Sequence, residues 1–263
     1  TGDNENKKDL NQIDCSFMYT QIMKEIFVST LFNNEHFEQF INFCREQFLG
    51  NSYELNNITR FEQTYRDHTP IWWYTCECFL YPMLNRALRQ MEVDIILKMG
   101  FFINDLHCHL KDVHKEQFHG PNRNKSLIVY RGQALPKKAF NELKNTVGGF
   151  MTFNNFLSTS KTRGISLDFA RTALSNPDCV GILFVMTIDP SLSTIPFADV
   201  TNLSYFRGED EVLFSMNTIF RIRRIKQIDG ESKELFQVDL ALSDDTDQDL
   251  HQLTERIRQE IKG

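Results

Sequence analysis

Arg131 and Gly132 form the first of three groups in the second half of the chain whose residue types suit chemistry on an anionic or sugar ligand. The arginine ends the apolar run 127–132. Its planar guanidinium can donate two parallel hydrogen bonds, which suits a carboxylate or a phosphate. The glycine would let a ligand approach the backbone closely. The alternative is a solvated turn at the end of a strand.

Three consecutive hydroxyl residues, Ser158, Thr159 and Ser160, form the second group and follow the apolar pair 156–157. Hydroxyl groups in a row can hold a carboxylate or a ribose in place. Serine and threonine also commonly end strands and cap helices, so a purely structural role is the simpler interpretation of this group alone.

The third group is the acidic segment 209–211, which runs directly into an apolar strand. In an extended backbone the side chains of Glu209 and Glu211 point the same way, so their carboxylates should repel and at least one pKa should be raised. Paired carboxylates can stabilise an oxocarbenium-like transition state at a sugar C1 and take a proton from the attacking group. A solvated acidic turn is the alternative.

The elements that must position these residues change character near the middle of the chain. Helical periodicity dominates from about 17 to 117, a turn-rich break covers 119–126, and alternating or β-branched runs follow. Strands that cluster after helices indicate an α+β fold. We expect four segments: a flexible N-terminus (1–15), a helical subdomain (16–120), a strand-rich core (121–243) and a polar C-terminal helix or tail (244–263).

Several element boundaries are specific predictions. The apolar run 71–88 predicts one buried helix that is interrupted or kinked at Pro82. Residues 93–115 predict a further helix, and Asn34 is expected to cap the helix that follows it. The segment 148–160 alternates as one strand that leads into the hydroxyl residues.

The composition disfavours several classes of function. The 263 residues include 29 basic and 35 acidic side chains, for a net charge of −6, whereas nucleic-acid-binding proteins usually have a basic face. No stretch approaches the apolar length of a membrane span. Neither a GxGxxG nor a GxxxxGK[ST] motif is present, so a Rossmann or P-loop site has no support.

The cysteines and histidines predict no metal site. Cys76 and Cys78, together with His107 and His109, come closest to a ligand pattern. Each pair is separated by one residue, whereas zinc ligand pairs usually have about two to four between them. Six cysteines are too few for a disulfide scaffold and favour a reducing compartment such as the cytoplasm. Secretion stays open because the chain starts without Met and could be a fragment.

The three groups, in this order, resemble the arginine-specific mono-ADP-ribosyltransferases, which include eukaryotic ecto-enzymes and cholera-toxin-like bacterial toxins. Three local sequences carry the resemblance: VYRGQ (129–133), FLSTS (156–160) and GEDEVLF (208–214). The likeness covers about 125–242 well and the helical half more loosely. It implies a helical N-terminal half packed on a mixed, split β-sheet core, with NAD as the substrate and no metal.

Carried over residue by residue, the resemblance also implies how the site binds NAD. Arg131 would hold the diphosphate and the nearby ribose, and the backbone at Gly132 would grip the nicotinamide carboxamide. Ser158 would orient the catalytic carboxylate, while Thr159 and Ser160 would shape the pocket.

The same resemblance assigns the catalytic and acceptor roles. Glu211 would accept a hydrogen bond from the ribose 2′-OH and stabilise the oxocarbenium ion, and Glu209 would receive the target arginine and help to remove its proton. Phe169 would lie beside the nicotinamide, although a phenylalanine on a helix is more often part of the core. Tyr205 or Phe206 would meet the acceptor, where an aromatic ring can stack on a guanidinium.

The leading hypothesis is therefore transfer of ADP-ribose from NAD to an arginine of an unidentified protein, with release of nicotinamide. An NAD glycohydrolase that uses water at the same site is the first alternative. A catalytically silent NAD-binding or interaction module is the second. The helical half either only covers the sheet or also forms a wall of the NAD cleft and chooses the protein target.

Overall fold

The computed structural model describes residues 15–118, 125–191, 195–206, 208–228, 230–243, 247 and 250. The described residues form these α-helices: α1 (Cys15–Ser29), α2 (Asn34–Gln47), α3 (Ser52–Thr64), α4 (Pro70–Thr75), α5 (Leu80–Gln90), α6 (Val93–Lys98), α7 (Gly100–Gln117), α8 (Lys137–Lys144) and α9 (Arg163–Thr172). The predicted flexible N-terminus and polar tail lie almost entirely outside the described residues.

The strand-rich half forms one mixed sheet. Its strands are β1 (Leu127–Pro136), β2 (Phe150–Phe153), β3 (Leu157–Ser160), β4 (Cys179–Ile188), β5 (Phe197–Asp199), β6 (Glu211–Phe214), β7 (Thr218–Gln227) and β8 (Leu235–Leu242). Their order is β2-β7-β8-β4-β1-β3-β6-β5. Strands β4 and β8 are parallel, and the other pairings among the described strands are antiparallel.

A single residue pair joins the two parts of this sheet. The five strands from β2 to β1 meet the three strands β3, β6 and β5 only where Tyr130 pairs with Ser160. The predicted α+β class, with helices first and a mixed, split sheet second, is confirmed. The split also brings β1, which carries Arg131, next to the strand that carries the hydroxyl residues.

Two large hydrophobic cores and a smaller one, which packs α9 against the sheet, stabilise the described elements. The helical half packs many aromatic rings together, among them Phe61 against Trp73 and Phe102 at centroid distances of 4.9 and 6.4 Å. This core continues into the short sheet segment through Phe156 and Leu213. A second core lies within the strand-rich half. Most of the chain's many phenylalanines are therefore explained by packing rather than by a flat ligand.

Buried and half-buried hydrogen bonds tie the helical half to the small sheet segment. In α7, His107 Nδ1 lies 2.8 Å from Ser215 Oγ, and His114 Nδ1 lies 2.7 Å from the Phe197 carbonyl. Thr20 Oγ1 of α1 donates to Asn217 Oδ1 at 2.7 Å. These bonds fix α1 and α7 beside β5 and β6, at the edge of the sheet that carries Glu211.

The predicted helix 71–88 is wrong in its continuity. It consists of α4 and α5, separated by the non-helical residues 76–79, and the backbone is already extended at Cys76, with ψ of 142°. Pro82 lies in the first turn of α5, where a missing N–H breaks no helical hydrogen bond. The break therefore precedes the proline.

Other boundaries also differ from prediction. The helix predicted at 93–115 is divided at Met99 into α6 and α7, and Asn33 rather than Asn34 caps α2. The segment 148–160 forms two strands: β2 pairs with β7 at one edge, whereas β3 pairs with β1 and β6. The short strand β5 was not predicted.

Candidate active site

Hydrogen bonds connect three of the sequence-predicted residues across neighbouring strands. Arg131 Nη1 of β1 donates to the Ser158 carbonyl of β3 at 2.7 Å. Ser158 Oγ donates to Glu211 Oε1 of β6 at 2.5 Å. Residues that are 27 and 53 positions apart in the sequence are thus joined in one network. Strand pairing fixes it, because each residue's backbone is held by the sheet.

Arg131 forms two hydrogen bonds within the protein, which do not occupy all of its N–H donors. Its Nε also donates to Gln133 Oε1 at 3.4 Å, a long bond to the next residue on the same face of β1. A guanidinium has more N–H donors than these two bonds use. Arg131 is half-buried, so the remaining donors are suited to an anionic ligand beside the sheet.

The carboxyl of Glu211 has a raised pKa, as the sequence predicted for one member of the acidic pair. Burial is the largest cause, and the neighbouring carboxylate of Glu209 adds to it. The hydrogen bond from Ser158 and the charge of Arg131 act in the opposite direction. A partly desolvated carboxylate that keeps its charge through defined partners can stabilise a positive charge strongly.

The residue between the two glutamates explains why they share a face. Asp210 Oδ2 accepts a hydrogen bond from Thr162 Oγ1 at 3.2 Å, and the Asp210 carbonyl accepts one from the Lys161 N–H at 2.8 Å. These bonds hold Asp210 toward the segment that precedes α9. Glu209 and Glu211 both line the opposite cleft.

This cleft has a volume of about 260 Å³ and is walled by both halves of the chain. The strand-rich half contributes Ser158, Ser204, Phe206, Glu209 and Glu211. The helical half contributes Tyr74, Thr75, Cys76, Glu77, Cys78, Tyr81 and Pro82, which lie at the break between α4 and α5. The hypothesis that the helical half forms a wall of the cleft therefore agrees with the structure, and the same helices also bury the aromatic core.

Tyr74 is a site-lining residue that the sequence analysis did not single out. Its hydroxyl donates to the Phe156 carbonyl at 3.0 Å and accepts from Asn85 Nδ2 at 3.1 Å. Burial raises the Tyr74 pKa well above its usual range, so the phenol stays neutral. The bond fixes the start of β3, two residues before Ser158. The only sequence signal was a polar hydroxyl within the apolar run IWWYT.

The other two hydroxyls of the serine–threonine–serine group are used within the protein. Thr159 is buried and donates to the Val212 carbonyl at 2.7 Å, so its side chain lies on the face of β3 opposite Ser158. Ser160 Oγ accepts from the Thr162 N–H at 3.0 Å and closes the turn into α9. Both hydroxyls therefore stabilise the backbone around the site, and neither is directed at the cleft as a hydrogen-bond donor.

Gly132 is required by packing. A Cβ on this residue would lie 1.7 Å from the Ser166 carbonyl oxygen, so only glycine lets α9 lie against β1. Phe169, one turn further along α9, is 63% exposed. The expectation that a helical phenylalanine would belong to the core is therefore wrong for Phe169, and its ring faces solvent.

The predicted acceptor residues lie between β5 and β6. Tyr205 and Phe206 are 39% and 40% exposed, with their rings in edge-to-face contact at 5.0 Å. The Tyr205 N–H donates to Thr75 Oγ1 of α4 at 2.8 Å. Gly208 has a φ of +94°, a conformation that favours glycine, and it precedes the exposed Glu209.

Three of the four residues that came closest to a metal pattern in the sequence, Cys76, Cys78 and His107, have hydrogen-bond partners within the protein. Cys76 Sγ accepts from Arg60 Nη2 at 3.0 Å, and His107 bonds Ser215. A hydrogen bond from Cys78, with support from Arg60, lowers the pKa of Cys76 to about 7. Among the residues that the structure describes, no group of three or more His, Cys, Asp or Glu is placed to hold a metal ion. No described helix is long and apolar enough to cross a membrane.

The solved structures that a comparison with this chain finds include three ADP-ribosyltransferases. Plx2a, a toxin from Paenibacillus larvae, is 18% identical, with coverage of 70% of this chain and 92% of its own and a TM-score of 0.49. HopU1 of Pseudomonas syringae is 14% identical, with 89% and 100% coverage and a TM-score of 0.46. Vis toxin from Vibrio splendidus is 17% identical, with 91% and 90% coverage and a TM-score of 0.38. At these identities and TM-scores, the likeness carries no argument about activity or acceptor.

The sequence comparison is more decisive. No curated protein sequence is significantly similar to the chain. A family model described as ADP-ribosyltransferase exoenzyme, however, matches residues 50–243, from two residues before α3 to the residue after β8. The match covers well over half of the chain and includes all three chemical groups. ADP-ribosyltransferases use NAD as their substrate, and this chain belongs to the ADP-ribosyltransferase exoenzyme family.

Proposed function

We propose that the protein transfers ADP-ribose from NAD to an arginine side chain of another protein. The observation that supports this most directly is the pairing of a half-buried, hydrogen-bonded Glu211 with an exposed Glu209 on one cleft. The first carboxylate suits the stabilisation of positive charge on the sugar. The second is accessible to an incoming acceptor.

Binding of NAD would use the strand-borne residues. Arg131 would pair with the diphosphate, for which its planar donors are suited. The backbone of Gly132 would bind the nicotinamide carboxamide, and the exposed ring of Phe169 would lie beside the nicotinamide. Thr159 and Ser160 would act by holding β3 in register, since their hydroxyls bond to the backbone.

Cleavage would depend on Glu211. As the bond between nicotinamide and C1′ breaks, its electrons leave with nicotinamide and the ribose becomes oxocarbenium-like. The Glu211 carboxylate would accept a hydrogen bond from the ribose 2′-OH and stabilise this charge. Ser158 orients the carboxylate through the 2.5 Å bond and helps to keep it charged, because that bond lowers its pKa against the effect of burial.

The choice of arginine depends on Glu209. A guanidinium has a pKa above about 12 and is a poor nucleophile until it loses a proton. Glu209 would bind the guanidinium and accept that proton as the new N–C1′ bond forms. Its position on the cleft beside Glu211, with exposure to solvent, is suited to both tasks.

Hydrolysis of NAD is the alternative that the geometry also favours. Because Glu209 is solvent exposed, water can reach the face of the cleft from which an acceptor would attack. The same Arg131, Ser158 and Glu211 would then cleave NAD with water as acceptor. A silent binding module is disfavoured, because a hydrogen-bonded arginine, serine and glutamate network beside a second carboxylate gives no packing advantage.

A nicotinamide-release assay would separate these possibilities. NAD is incubated with the protein alone, with agmatine, or with putrescine, a diamine control that lacks the guanidinium. Mass spectrometry then detects ADP-ribosyl products. We expect an adduct with agmatine and none with putrescine. Release without an agmatine adduct would indicate hydrolysis or another acceptor. If NAD raises the melting temperature of the folded protein but no nicotinamide is released, the silent module would be supported.

A further inference from the structure

A continuous row of aromatic rings leads from the surface of the helical half to the catalytic cleft. We name His68, Trp72, Tyr205 and Phe206 the aromatic ridge. His68 stacks on Trp72 with ring centroids 3.7 Å apart, Trp72 meets Tyr205 at 5.2 Å, and Tyr205 meets Phe206 at 5.0 Å. Phe206 lines the cleft that contains both glutamates. The ridge therefore ends where the acceptor must enter.

The ridge is built by residues from both halves of the chain. His68 and Trp72 belong to α4 and the residues just before it, whereas Tyr205 and Phe206 belong to the chain between β5 and β6. The Tyr205 N–H bond to Thr75 fixes the two pieces together. His68, Tyr205 and Phe206 are exposed and Trp72 is half-buried. Apolar rings that are open to solvent beside a catalytic cleft indicate a binding surface.

Among the described residues, the charged side chains that line the cleft are acidic. Glu77 and Glu209 are both exposed and both line the cleft. The guanidinium of Arg60 donates to Cys76 Sγ, which lines the cleft, and lies over the Trp73 ring, 5.5 Å from its centroid. Aromatic faces and carboxylates together attract cations, through the ring quadrupole and through direct charge.

We propose that the aromatic ridge and Glu77 bind the acceptor segment that carries the target arginine, and that they select a segment rich in basic residues. This inference rests on the proposed arginine transfer and adds residues of the helical half to acceptor recognition. Trp72 would contact a cationic side chain next to the target arginine. Glu77 would pair with a second one at the rim of the cleft.

Two synthetic peptides and agmatine test this inference. Each peptide carries one arginine, flanked by lysines in one and by glutamates in the other, and kcat/KM is measured for each acceptor. We expect the wild-type protein to prefer the lysine-flanked peptide by about tenfold, which corresponds to two favourable contacts of about 0.5–1 kcal/mol each. Trp72→Ala and Glu77→Gln should each reduce this preference by about three- to fivefold.

Matched variants control for unrelated effects. Tyr53→Ala removes an aromatic ring that is 64% exposed on α3, and Glu46→Gln neutralises an exposed carboxylate on α2. Both should keep the wild-type preference. Trp72→Phe should restore much of what Trp72→Ala loses, because it keeps an aromatic face. Glu77 is exposed, so Glu77→Gln tests the inference even if Trp72→Ala destabilises the fold.

The outcomes distinguish this inference from the proposed function. If the wild-type protein makes no agmatine adduct, arginine transfer itself is wrong. If it modifies agmatine but prefers neither peptide, or prefers the glutamate-flanked one, only the recognition of a basic segment is wrong. An unchanged preference in both Trp72→Ala and Glu77→Gln would exclude the helical half from acceptor selection.

Discussion

The strand-borne and turn-borne parts of the candidate site are built differently. Arg131, Ser158 and Glu211 lie on paired strands, and bonds of 2.7 and 2.5 Å link them. Tyr205 and Glu209 lie in the exposed chain before β6, where the 2.8 Å bond from Tyr205 to Thr75 provides a link to the helical half. The difference suggests that NAD cleavage depends on a fixed framework and that acceptor choice depends on an adaptable one.

Glu211→Gln should have the largest effect, because it removes the carboxylate on which both reactions depend. We expect nicotinamide release and arginine transfer to fall together by about 10³-fold, a magnitude typical for the loss of one electrostatic stabiliser of a transition state. Steady-state assays of both products measure this. If transfer fell while hydrolysis persisted, Glu211 would belong to the acceptor part of the site instead.

Glu209→Gln should separate the two reactions. Without a general base, transfer to agmatine should fall by about 10²-fold or more, while a measurable part of NAD hydrolysis remains because the Ser158–Glu211 bond is intact. The ratio of ADP-ribosyl-agmatine to total nicotinamide is the readout. Full transferase activity in this variant would show that our role for Glu209 is wrong.

Arg131→Lys tests the fixed framework without a change of charge. Lysine keeps the positive charge but loses the planar donors and the bond to the Ser158 carbonyl. We expect KM for NAD to rise by about tenfold in the hydrolysis and transfer assays alike. Gln133→Ala serves as a comparison, since it removes only the 3.4 Å contact to Arg131 Nε. An effect on transfer alone would contradict the division of the site.

Thr75→Val tests the link that holds the turn. It removes the oxygen that accepts from the Tyr205 N–H while keeping the shape of the side chain. The turn should become more mobile, so we expect the ratio of transfer to hydrolysis to fall by about three- to fivefold, the value of roughly one hydrogen bond. Thr75→Ser keeps the hydroxyl and should restore the ratio. Equal ratios in the two variants would show that Thr75 does not position the acceptor residues.

The sequence singled out the candidate site mainly through its resemblance to a known family. Arg131, Ser158 and Glu211, which each had a simpler structural interpretation when taken alone, lie in one hydrogen-bonded network, and their catalytic roles stay predictions. The alternation in 148–160 was also real, but nothing local distinguishes a strand that pairs with β7 from one that pairs with β1 and β6. Strand partners are set by long-range contacts that periodicity does not contain.

The contributions of the helical half were harder to predict for a related reason. The apolar run 71–88 correctly indicated a buried element, yet the non-helical break at 76–79 became a wall of the cleft. Tyr74 and Thr75 act through bonds to Phe156 and Tyr205, which lie 82 and 130 residues away in the sequence. Such roles depend on where the helix docks, which no spacing rule reveals.

The smallest expected effect is on the pH dependence of thermal stability. It should still differ between Glu211→Gln and Glu209→Gln. Because the folded protein raises the pKa of Glu211, it binds that proton more tightly than the unfolded chain does, and stability falls as the pH rises through this interval. Glu211→Gln lacks this loss, so its Tm at pH 7 should exceed the wild-type value by about 1–3 °C. The gain should vanish at pH values below the usual range of glutamate. Glu209→Gln, at an exposed position, should change Tm less. Calorimetry at several pH values decides this, and a Glu211→Gln variant that is less stable at pH 7 would mean that its bonds to Ser158 and Arg131 outweigh the cost of burying its charge.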